Sequence, residues 1–275
     1  MAHPVYPSDL NDQEWALLAP LIPAAKPGGR PRSVEMRHIL DGVFYVLRTG
    51  CPWRYLPREY GPWPTVYYYF RRWRLDGTWI HIHARLRELA RLHAGRDPTP
   101  SAAIIDSQSV KTQAGGVRGF DGAKKLAGRK RHILVDTQGW LLAVVVHSAH
   151  LQDRQGGRLV LEAAGERFPR LHRIWADQGY TGGLQQWATE RYGITLEVVY
   201  PPFRQLKRYA PDVLAELGTS SGFQVLPKRW IVERTFSWLG RQRRLSKDYA
   251  YLPSTSEAWI YLVGIRLLLA RLTRR

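Results

Sequence analysis

The spacing of the apolar residues changes near residue 97, and this change limits the fold more than any other feature of the chain. Before it, apolar residues recur every three or four positions, which is the period of a helix with one buried face. After the Asp-Pro-Thr-Pro sequence at 97–100, they form short runs bounded by turn residues, as strands do. The sequence therefore predicts a helical part at residues 1–97 and an α/β part at residues 98–275.

The helical part is expected to contain four helices, at about 10–22, 33–49, 64–74 and 79–94. Ser33 is expected to cap the second helix, and Gly50 followed by Pro52 to end it. The third helix leaves Arg71, Arg72 and Arg74 on its outer face. Short helices with a basic member are typical of helix-turn-helix DNA-binding modules. A helical scaffold with a solvated basic face is an equally good interpretation.

The α/β part is predicted to be a mixed sheet covered by helices. The expected strands are 103–106, 131–136, 140–147, 171–176 and 195–200, and residues 137–139 are expected to turn the second strand into the third. The expected helices are 153–167, 180–192, 228–244 and 254–272. Residues 201–222 are predicted to form an irregular insertion.

The charge of the chain indicates a polyanionic partner. Lys and Arg number 41 against 23 Asp and Glu, which gives a formal net charge of +18, and 33 of the 41 are Arg. The planar guanidinium suits phosphate. An arginine-rich composition inherited from a GC-rich genome explains part of this preference, but it does not explain the excess over acids. Residues 223–275 carry 11 basic and 3 acidic side chains, so the excess is concentrated there.

Cysteine content and hydropathy exclude several classes of protein. The single cysteine, Cys51, cannot form an internal disulfide, and no Cys/His cluster has zinc-ligand spacing. The first residues lack the basic-then-apolar order of a signal peptide. The most apolar run, at 259–272, is shorter than the roughly 18 residues of a membrane span and carries Arg266 and Arg271. A soluble cytoplasmic protein without membrane contact is expected.

Three acids stand where an α/β fold gathers ligand-binding groups. Asp106 closes the apolar strand in AIIDSQSV, Asp177 ends the fourth strand in IWADQGY, and Glu233 lies on the late helix in KRWIVERTFSWLG. A carboxylate at the end of a buried strand is costly unless a cation or hydrogen bonds compensate it. Because hard divalent cations prefer oxygen ligands, the acids predict a metal site. Two Mg²⁺ ions about 3.5–4 Å apart can activate a water or a 3′-hydroxyl in phosphoryl transfer.

Each acid also has a simpler explanation. Asp106 could be a turn cap, Asp177 an Asx-turn residue before Gly179, and Glu233 a surface charge paired with Arg229 four residues earlier. At 100° per residue, Arg229, Glu233 and Arg244 share one face of the predicted helix, so Arg229 could orient the glutamate or hold a phosphate. The order of the three acids on two strands and a late helix favours the metal site.

Two basic strips flank the acids. The first precedes the second predicted strand and consists of Lys124, Lys125, Arg129, Lys130 and Arg131. The second follows Glu233 and consists of Arg241, Arg243, Arg244 and Lys247. Both are predicted to contact phosphates, although a solvated loop remains the alternative for the first. Ala123 precedes Lys124 and no Ser or Thr follows, so the first strip is not a Walker A loop, and no nucleotide cofactor is expected.

The chain resembles bacterial DDE transposases of the insertion-sequence-five (IS-five) family over nearly its whole length. In the helical part, the resemblance rests on LNDQEWALLAPLIP, GRPR, ILDGVFYVLRTGCPWRYLP and WPTVYYYFRRW. In the α/β part, it rests on IIDSQSVKT, GFDGAKKLAGRKRHILVD, IWADQGY and RWIVERTFSWLGRQRRLSKDY. The resemblance implies a helix-turn-helix-like DNA-binding domain at 1–97 and a ribonuclease-H-like catalytic domain at 98–275.

The resemblance also assigns the acids. It implies that Asp106, Asp177 and Glu233 are the catalytic triad and the ligands of two Mg²⁺ ions, for which Mn²⁺ would substitute. The family's signature around its glutamate is Tyr, Arg, Glu, then Lys or Arg, and Arg229 matches the arginine. The chain departs from the signature at two positions.

The two departures are at the tyrosine and at the distal basic residue. Leu226 stands at the tyrosine position and Gly240 at the distal basic position, where Arg241 or Arg244 could take over.

A transposase would bind double-stranded DNA at the terminal inverted repeats of its element, cleave it and join the 3′-hydroxyl ends to target DNA. We expect a homodimer or a larger assembly, because two ends must be paired, and association with the nucleoid when the protein is bound to DNA. Two alternatives stay open: a ribonuclease-H-like nuclease without strand transfer, and a DNA-binding regulator whose catalytic domain has decayed.

Overall fold

The α/β part is built on a mixed sheet. The computed structural model describes residues 6–25, 28, 32–113, 115–198 and 228–274. Within these residues the sheet has six strands. They are β1 (Ala102–Lys111), β2 (Gly119–Asp121), β3 (Leu126–Asp136), β4 (Leu141–Ser148), β5 (Arg173–Ala176) and β6 (Thr195–Val198). The predicted insertion at 201–222 and Leu226 lie outside the described residues.

The strands β3 and β1 form the centre of the sheet. β3 runs antiparallel to β1 on one edge and antiparallel to β4 and β2 on the other. On the other edge of β1 lies β5, followed by β6, and both run parallel to β1. In the β1–β5 pair, Ala102 lies opposite Arg173 and Ile104 opposite Trp175. Parallel neighbours require crossover connections, which the helices between β4, β5 and β6 supply. This confirms the predicted fold class, with β2 as an additional short strand.

Eight α-helices surround this sheet or precede it among the residues that the structure describes. They are α1 (Asp12–Leu18), α2 (Met36–Thr49), α3 (Trp63–Leu75), α4 (Thr78–His93), α5 (Asp153–Ala164), α6 (Gly183–Tyr192), α7 (Arg229–Gly240) and α8 (Pro253–Thr273). The sequence predicted each of them within a few residues. None of the described helices is long and apolar enough to cross a membrane.

Several boundaries differ from the prediction. β3 begins at Leu126, five residues before the predicted start at 131. Glu35, not Ser33, occupies the N-cap of α2, which nevertheless ends at Gly50 in a left-handed conformation. β1 continues five residues beyond Asp106, because the polar residues that follow pair with β3. α7 stops at Gly240, so Arg244 lies in a separate 3₁₀ turn and does not share a helix face with Glu233.

The helical part and the sheet share one apolar core. α8 packs against α4, α1 and α2 on one side and against β4 on the other. The closest approach to α4 is at Gly264, where a Cβ would lie 2.5 Å from Nε2 of the buried His83. A buried ion pair between Arg91 of α4 and Asp136 joins the helices to the turn after β3. The C-terminal helix therefore fixes the helical part onto the sheet.

Helices cover both faces of the sheet. The side chains of Ala103, Ile105 and Leu134 pack with α5 and α6, and we call this side the α5 face. The intervening residues Ile104 and Ile133 pack with α7, α8 and the N-terminal helices, and we call this side the α7 face. Side chains alternate between the faces along each strand, so the position of a residue in β1 or β3 decides which helices it meets.

Candidate active site

Asp106 lies on the α7 face in the middle of β1. It follows Ile104 by two residues, so its carboxylate projects among the helices of that face, where its side chain is 16% exposed. Oδ1 accepts a 2.7 Å hydrogen bond from the backbone N–H of Ser107. The prediction that Asp106 ends its strand is therefore wrong, because β1 continues to Lys111; Asp106 ends only the apolar part of the strand, after the buried Ile104 and Ile105.

Asp177 directly follows the neighbouring strand β5, close enough to Asp106 for its charge to act on that carboxylate. β5 ends at Ala176, and its last residue pair with β1 is Ile104 with Trp175. Two residues further along both segments, residue 177 would lie opposite residue 106. Neighbouring strands lie about 4.8 Å apart. Oδ1 of Asp177 accepts a 2.8 Å hydrogen bond from the backbone N–H of Gly179, so the residue is also the Asx-turn that the simpler explanation proposed.

The environment of Asp106 favours its protonated form. Burial, helped by the negative charge of Asp177, raises its pKa from 3.8 to about 7. The hydrogen bond from Ser107 and the positive charges of Arg229 and Lys124 act in the opposite direction. Two adjacent carboxylates of which one resists ionisation form a centre that a cation would stabilise.

Glu233 approaches this pair only through Arg229. Nη2 of Arg229 lies 3.9 Å from Oδ2 of Asp106 and 3.4 Å from Oε1 of Glu233. The side chain of Glu233 is 57% exposed. Nζ of Lys228, at the start of the helix, lies 3.6 Å from the centre of the Trp175 ring, which fixes α7 beside the end of β5. The guanidinium thus stands between the glutamate and the aspartates.

Two of the three acids, Asp106 and Asp177, suit a hard divalent cation. Asp106 and Asp177 offer carboxylate oxygens, as Mg²⁺ and Mn²⁺ prefer. In the described part of the chain, no three His, Cys, Asp or Glu side chains are close enough together to hold a metal ion. The two aspartates therefore fit such an ion, whereas Glu233 would join them only after Arg229 withdraws.

Three residues of the first basic strip are buried in the sheet. Arg129 donates to the carbonyls of three residues and pairs with Asp248, and Arg131 donates to the carbonyls of Leu245 and Lys247. Lys130 points to the opposite face and pairs with two aspartates, at 3.1 and 3.6 Å. The prediction that these three side chains contact DNA is therefore corrected, because each is committed to a partner inside the protein.

The other predicted cations divide into exposed and tethered groups. Six are exposed: Arg71, Lys124, Lys125, Arg241, Arg243 and Lys247. Three are partly buried and have protein partners. Arg72 lies 3.9 Å from Asp76, Arg74 donates to Ser254 at 2.6 Å, and Arg244 lies over the Trp259 ring at 5.4 Å. The exposed group remains available for phosphate.

Sequence reasoning overlooked two polar residues at this centre. Asp153 begins α5 and accepts a 2.8 Å hydrogen bond from the hydroxyl of Ser107. Tyr180 is completely buried, its hydroxyl has no hydrogen-bond partner among the described residues, and burial followed by the charges of Asp106, Asp153 and Asp177 raises its pKa. The sequence placed both residues at helix starts, and only the folded sheet shows that those starts lie beside β1.

Comparison with known proteins assigns the chain to a family. The family described as "Transposase DDE domain" matches residues 97–268. The chain belongs to the DDE transposases. The family described as "Putative transposase of IS4/5 family" matches residues 10–83, so the two matches together confirm the resemblance drawn from the sequence. No solved structure shows a significant match to the transposase.

Curated relatives come from insertion elements and from an unassigned protein. The "Insertion element IS402 uncharacterized 16.2 kDa protein" of Burkholderia cepacia is 36% identical over 42% of the chain and 79% of its own length. The "Putative transposase for insertion sequence element IS402" of the same organism is 28% identical over 52% of the chain and 62% of its own length. The "Uncharacterized protein y4sN" of Sinorhizobium fredii is 26% identical over 42% of the chain and 87% of its own length.

Proposed function

We propose that this transposase binds the terminal inverted repeats of an insertion sequence, cleaves the DNA and joins the 3′-hydroxyl ends to target DNA. The observation that carries the proposal is the proximity of Asp106, in β1, to Asp177, which directly follows the parallel neighbour β5 and whose charge acts on Asp106, in a chain that belongs to the DDE transposases. Glu233 is the third member of the proposed triad. Its distance from the aspartates is controlled by Arg229, whose 3.9 and 3.4 Å contacts are long enough for a DNA phosphate to replace.

Asp106 and Asp177 would hold the divalent ions, Mg²⁺ or its substitute Mn²⁺, with Glu233 added when DNA occupies Arg229. Bound there, such ions would activate the attacking oxygen and stabilise the leaving oxygen of the phosphodiester. The chain itself supplies the orientation of the carboxylates: the N–H of Ser107 fixes Asp106, and the N–H of Gly179 fixes Asp177. Without the ion, the raised pKa keeps Asp106 partly protonated near pH 7.

The proposed division of labour follows the two parts of the chain. Residues 1–97 would recognise the inverted repeats with the basic surface of α3, and residues 98–275 would cut them. The exposed cations around the acids (Lys124, Lys125, Arg241, Arg243 and Lys247) would hold the phosphate backbone. Two ends must be brought together, so we propose a homodimer or a larger assembly on DNA. Its substrate places this activity in the bacterial cytoplasm, at the nucleoid.

A strand-transfer assay separates this function from its alternatives. The full chain is mixed with a labelled inverted-repeat duplex, a supercoiled target plasmid and Mg²⁺, and joined products are separated from cut ones. A transposase gives donor ends covalently joined to the plasmid. Cut donor without joined product identifies a nuclease, and binding without cutting identifies a regulator. Asp106→Asn is the control, because it should bind the duplex and yield neither product.

A further inference from the structure

Asp153 lies behind the candidate active site, on the α5 face of the sheet. It is the first residue of α5, and its Oδ1 accepts hydrogen bonds from Oγ of Ser107 at 2.8 Å and from Nζ of Lys130 at 3.1 Å. Asp106 and Ser107 are neighbours in β1 and therefore face opposite sides of the sheet. Asp153 thus holds the residue whose backbone N–H donates to Oδ1 of Asp106.

The second oxygen of Asp153 lies against the loop that carries Asp177. A Cβ at Gly179 would be 3.0 Å from Oδ2 of Asp153 and 3.0 Å from Oδ1 of Asp177, so the backbone of Gly179 fits between the two carboxylates. The N–H of Gly179 donates to Asp177. One side chain therefore binds the hydroxyl of Ser107 and lies beside Gly179, the two residues whose backbone N–H groups orient the aspartates.

We propose that Asp153 is a positioning residue, which fixes Asp106 and Asp177 relative to each other. The inference rests on the proposed function and deepens it: groups behind metal-binding carboxylates set their geometry and thereby metal affinity. The buried hydroxyl of Tyr180 lies in the field of all three aspartates, which places Asp153 in the same electrostatic cluster.

Ordinary structural roles do not account for Asp153. Gln152 already occupies the N-cap of α5 and forms a reciprocal capping box with Gln155, so Asp153 is not needed as the cap. Lys130 has a second carboxylate partner in Asp121, at 3.6 Å. His132 approaches Oδ1 of Asp153 to 3.7 Å, but burial lowers its pKa well below the ordinary value, so it carries no charge that requires an aspartate.

The test compares Asp153→Ala, Asp153→Asn and a matched control, Glu162→Gln. Glu162 lies on the same helix, is exposed and pairs only with Arg158 in the described structure. Two quantities are measured on the full chain: binding of Mn²⁺ in the absence of DNA, by calorimetry, and the Mg²⁺ concentration that gives half-maximal cleavage of an inverted-repeat duplex. Thermal unfolding without metal and duplex binding without metal report on structure.

Asp153→Ala should weaken Mn²⁺ binding by about 10-fold or more and raise the half-maximal Mg²⁺ concentration similarly. Asp153→Asn should stay much closer to the wild type, because its amide oxygen can accept from Ser107. Glu162→Gln should change neither quantity, and metal-free DNA binding should be equal in all variants. An Asp153→Ala variant that binds Mn²⁺ and responds to Mg²⁺ within about twofold of the wild type overturns the proposal, since a positioning role requires a larger effect.

If Asp153→Ala does not fold, Ser107→Ala carries the test, because it removes the hydroxyl and leaves Asp153 in place. Weaker Mn²⁺ binding by Ser107→Ala supports the proposal, and unchanged binding overturns it. The two levels of inference are separable. A wild-type chain that binds Mn²⁺ but never cleaves defeats the proposed function, while the Mn²⁺ comparison still decides the role of Asp153.

Discussion

Two groups of cations that are almost adjacent in sequence have opposite environments. Lys124 and Lys125 lie in the turn before β3 and are exposed, whereas Arg129, Lys130 and Arg131 lie within β3 and are buried. β3 has strands on both edges and helices on both faces, so its side chains from residue 128 onward have no route to solvent. The turn has no such cover. A run of basic residues in the sequence is therefore not one surface. The position of each residue relative to the sheet decides whether its side chain can reach DNA.

The buried cations hold the chain between α7 and α8. Arg129 and Arg131 lie on the α7 face and bind five carbonyls in two segments, 117 and 245–251, while Asp248 compensates the charge of Arg129. Burying an arginine is tolerable only with such partners. Exposed lysines without these commitments are the ones that a phosphate backbone can recruit.

Arg129→Ala tests most strongly the claim that the buried cations stabilise the fold. It leaves Asp248 buried without its cation, which should lower the free energy of unfolding by about 3–5 kcal/mol. Urea unfolding measures it, with Lys124→Ala as the exposed control. An Arg129→Ala protein of normal stability that binds DNA poorly would contradict the assignment and return Arg129 to the DNA surface.

Asp106→Asn should instead raise the free energy of unfolding, because the burial of Asp106 outweighs the attraction of Arg229, whose Nη2 lies 3.9 Å from Oδ2. Its folded pKa of about 7 lies above the ordinary 3.8, so its contribution to stability is complete below pH 4 and is lost as the pH rises through 7. In EDTA, the free energy of unfolding of the variant relative to that of the wild type should rise by about 2–4 kcal/mol as the pH increases from 4 to 8. Denaturant unfolding across this pH range measures the gain. An equal pH dependence in both proteins would show that Asp106 ionises normally.

The double variant Lys124→Ala, Lys125→Ala should weaken DNA binding with little effect on stability. Removing two phosphate contacts should reduce the slope of log affinity against log salt by about 2, with stability changed by less than about 0.5 kcal/mol. Fluorescence anisotropy at several salt concentrations measures the slope. An unchanged slope would show that the turn is solvated and does not touch the backbone, which was the alternative interpretation of the sequence.

The sequence was sufficient for the fold class and for the positions of the acids, because apolar periodicity and breaks in it are local signals. It missed the second half of β1, since four of the residues 107–111 are polar and the segment pairs with β3 only in the folded sheet. The sequence also could not show that Arg129 is buried in β3 while Lys125 is exposed in the turn before it, because this difference too depends on strand pairing. Asp153 reads as an ordinary helix start, and its contact with Ser107 spans 46 residues that only the crossover from β4 to α5 brings together.

The most direct test of the account is metal-dependent cleavage of an inverted-repeat duplex by the wild type and by Asp106→Asn and Asp177→Asn, with duplex affinity measured on the same preparations. The account predicts that each substitution abolishes cleavage in Mg²⁺ and in Mn²⁺ while affinity stays within about twofold, because the exposed cations hold the backbone and the aspartates act only on the bond. Cleavage that survives either substitution would contradict the assignment of the paired aspartates as the active site.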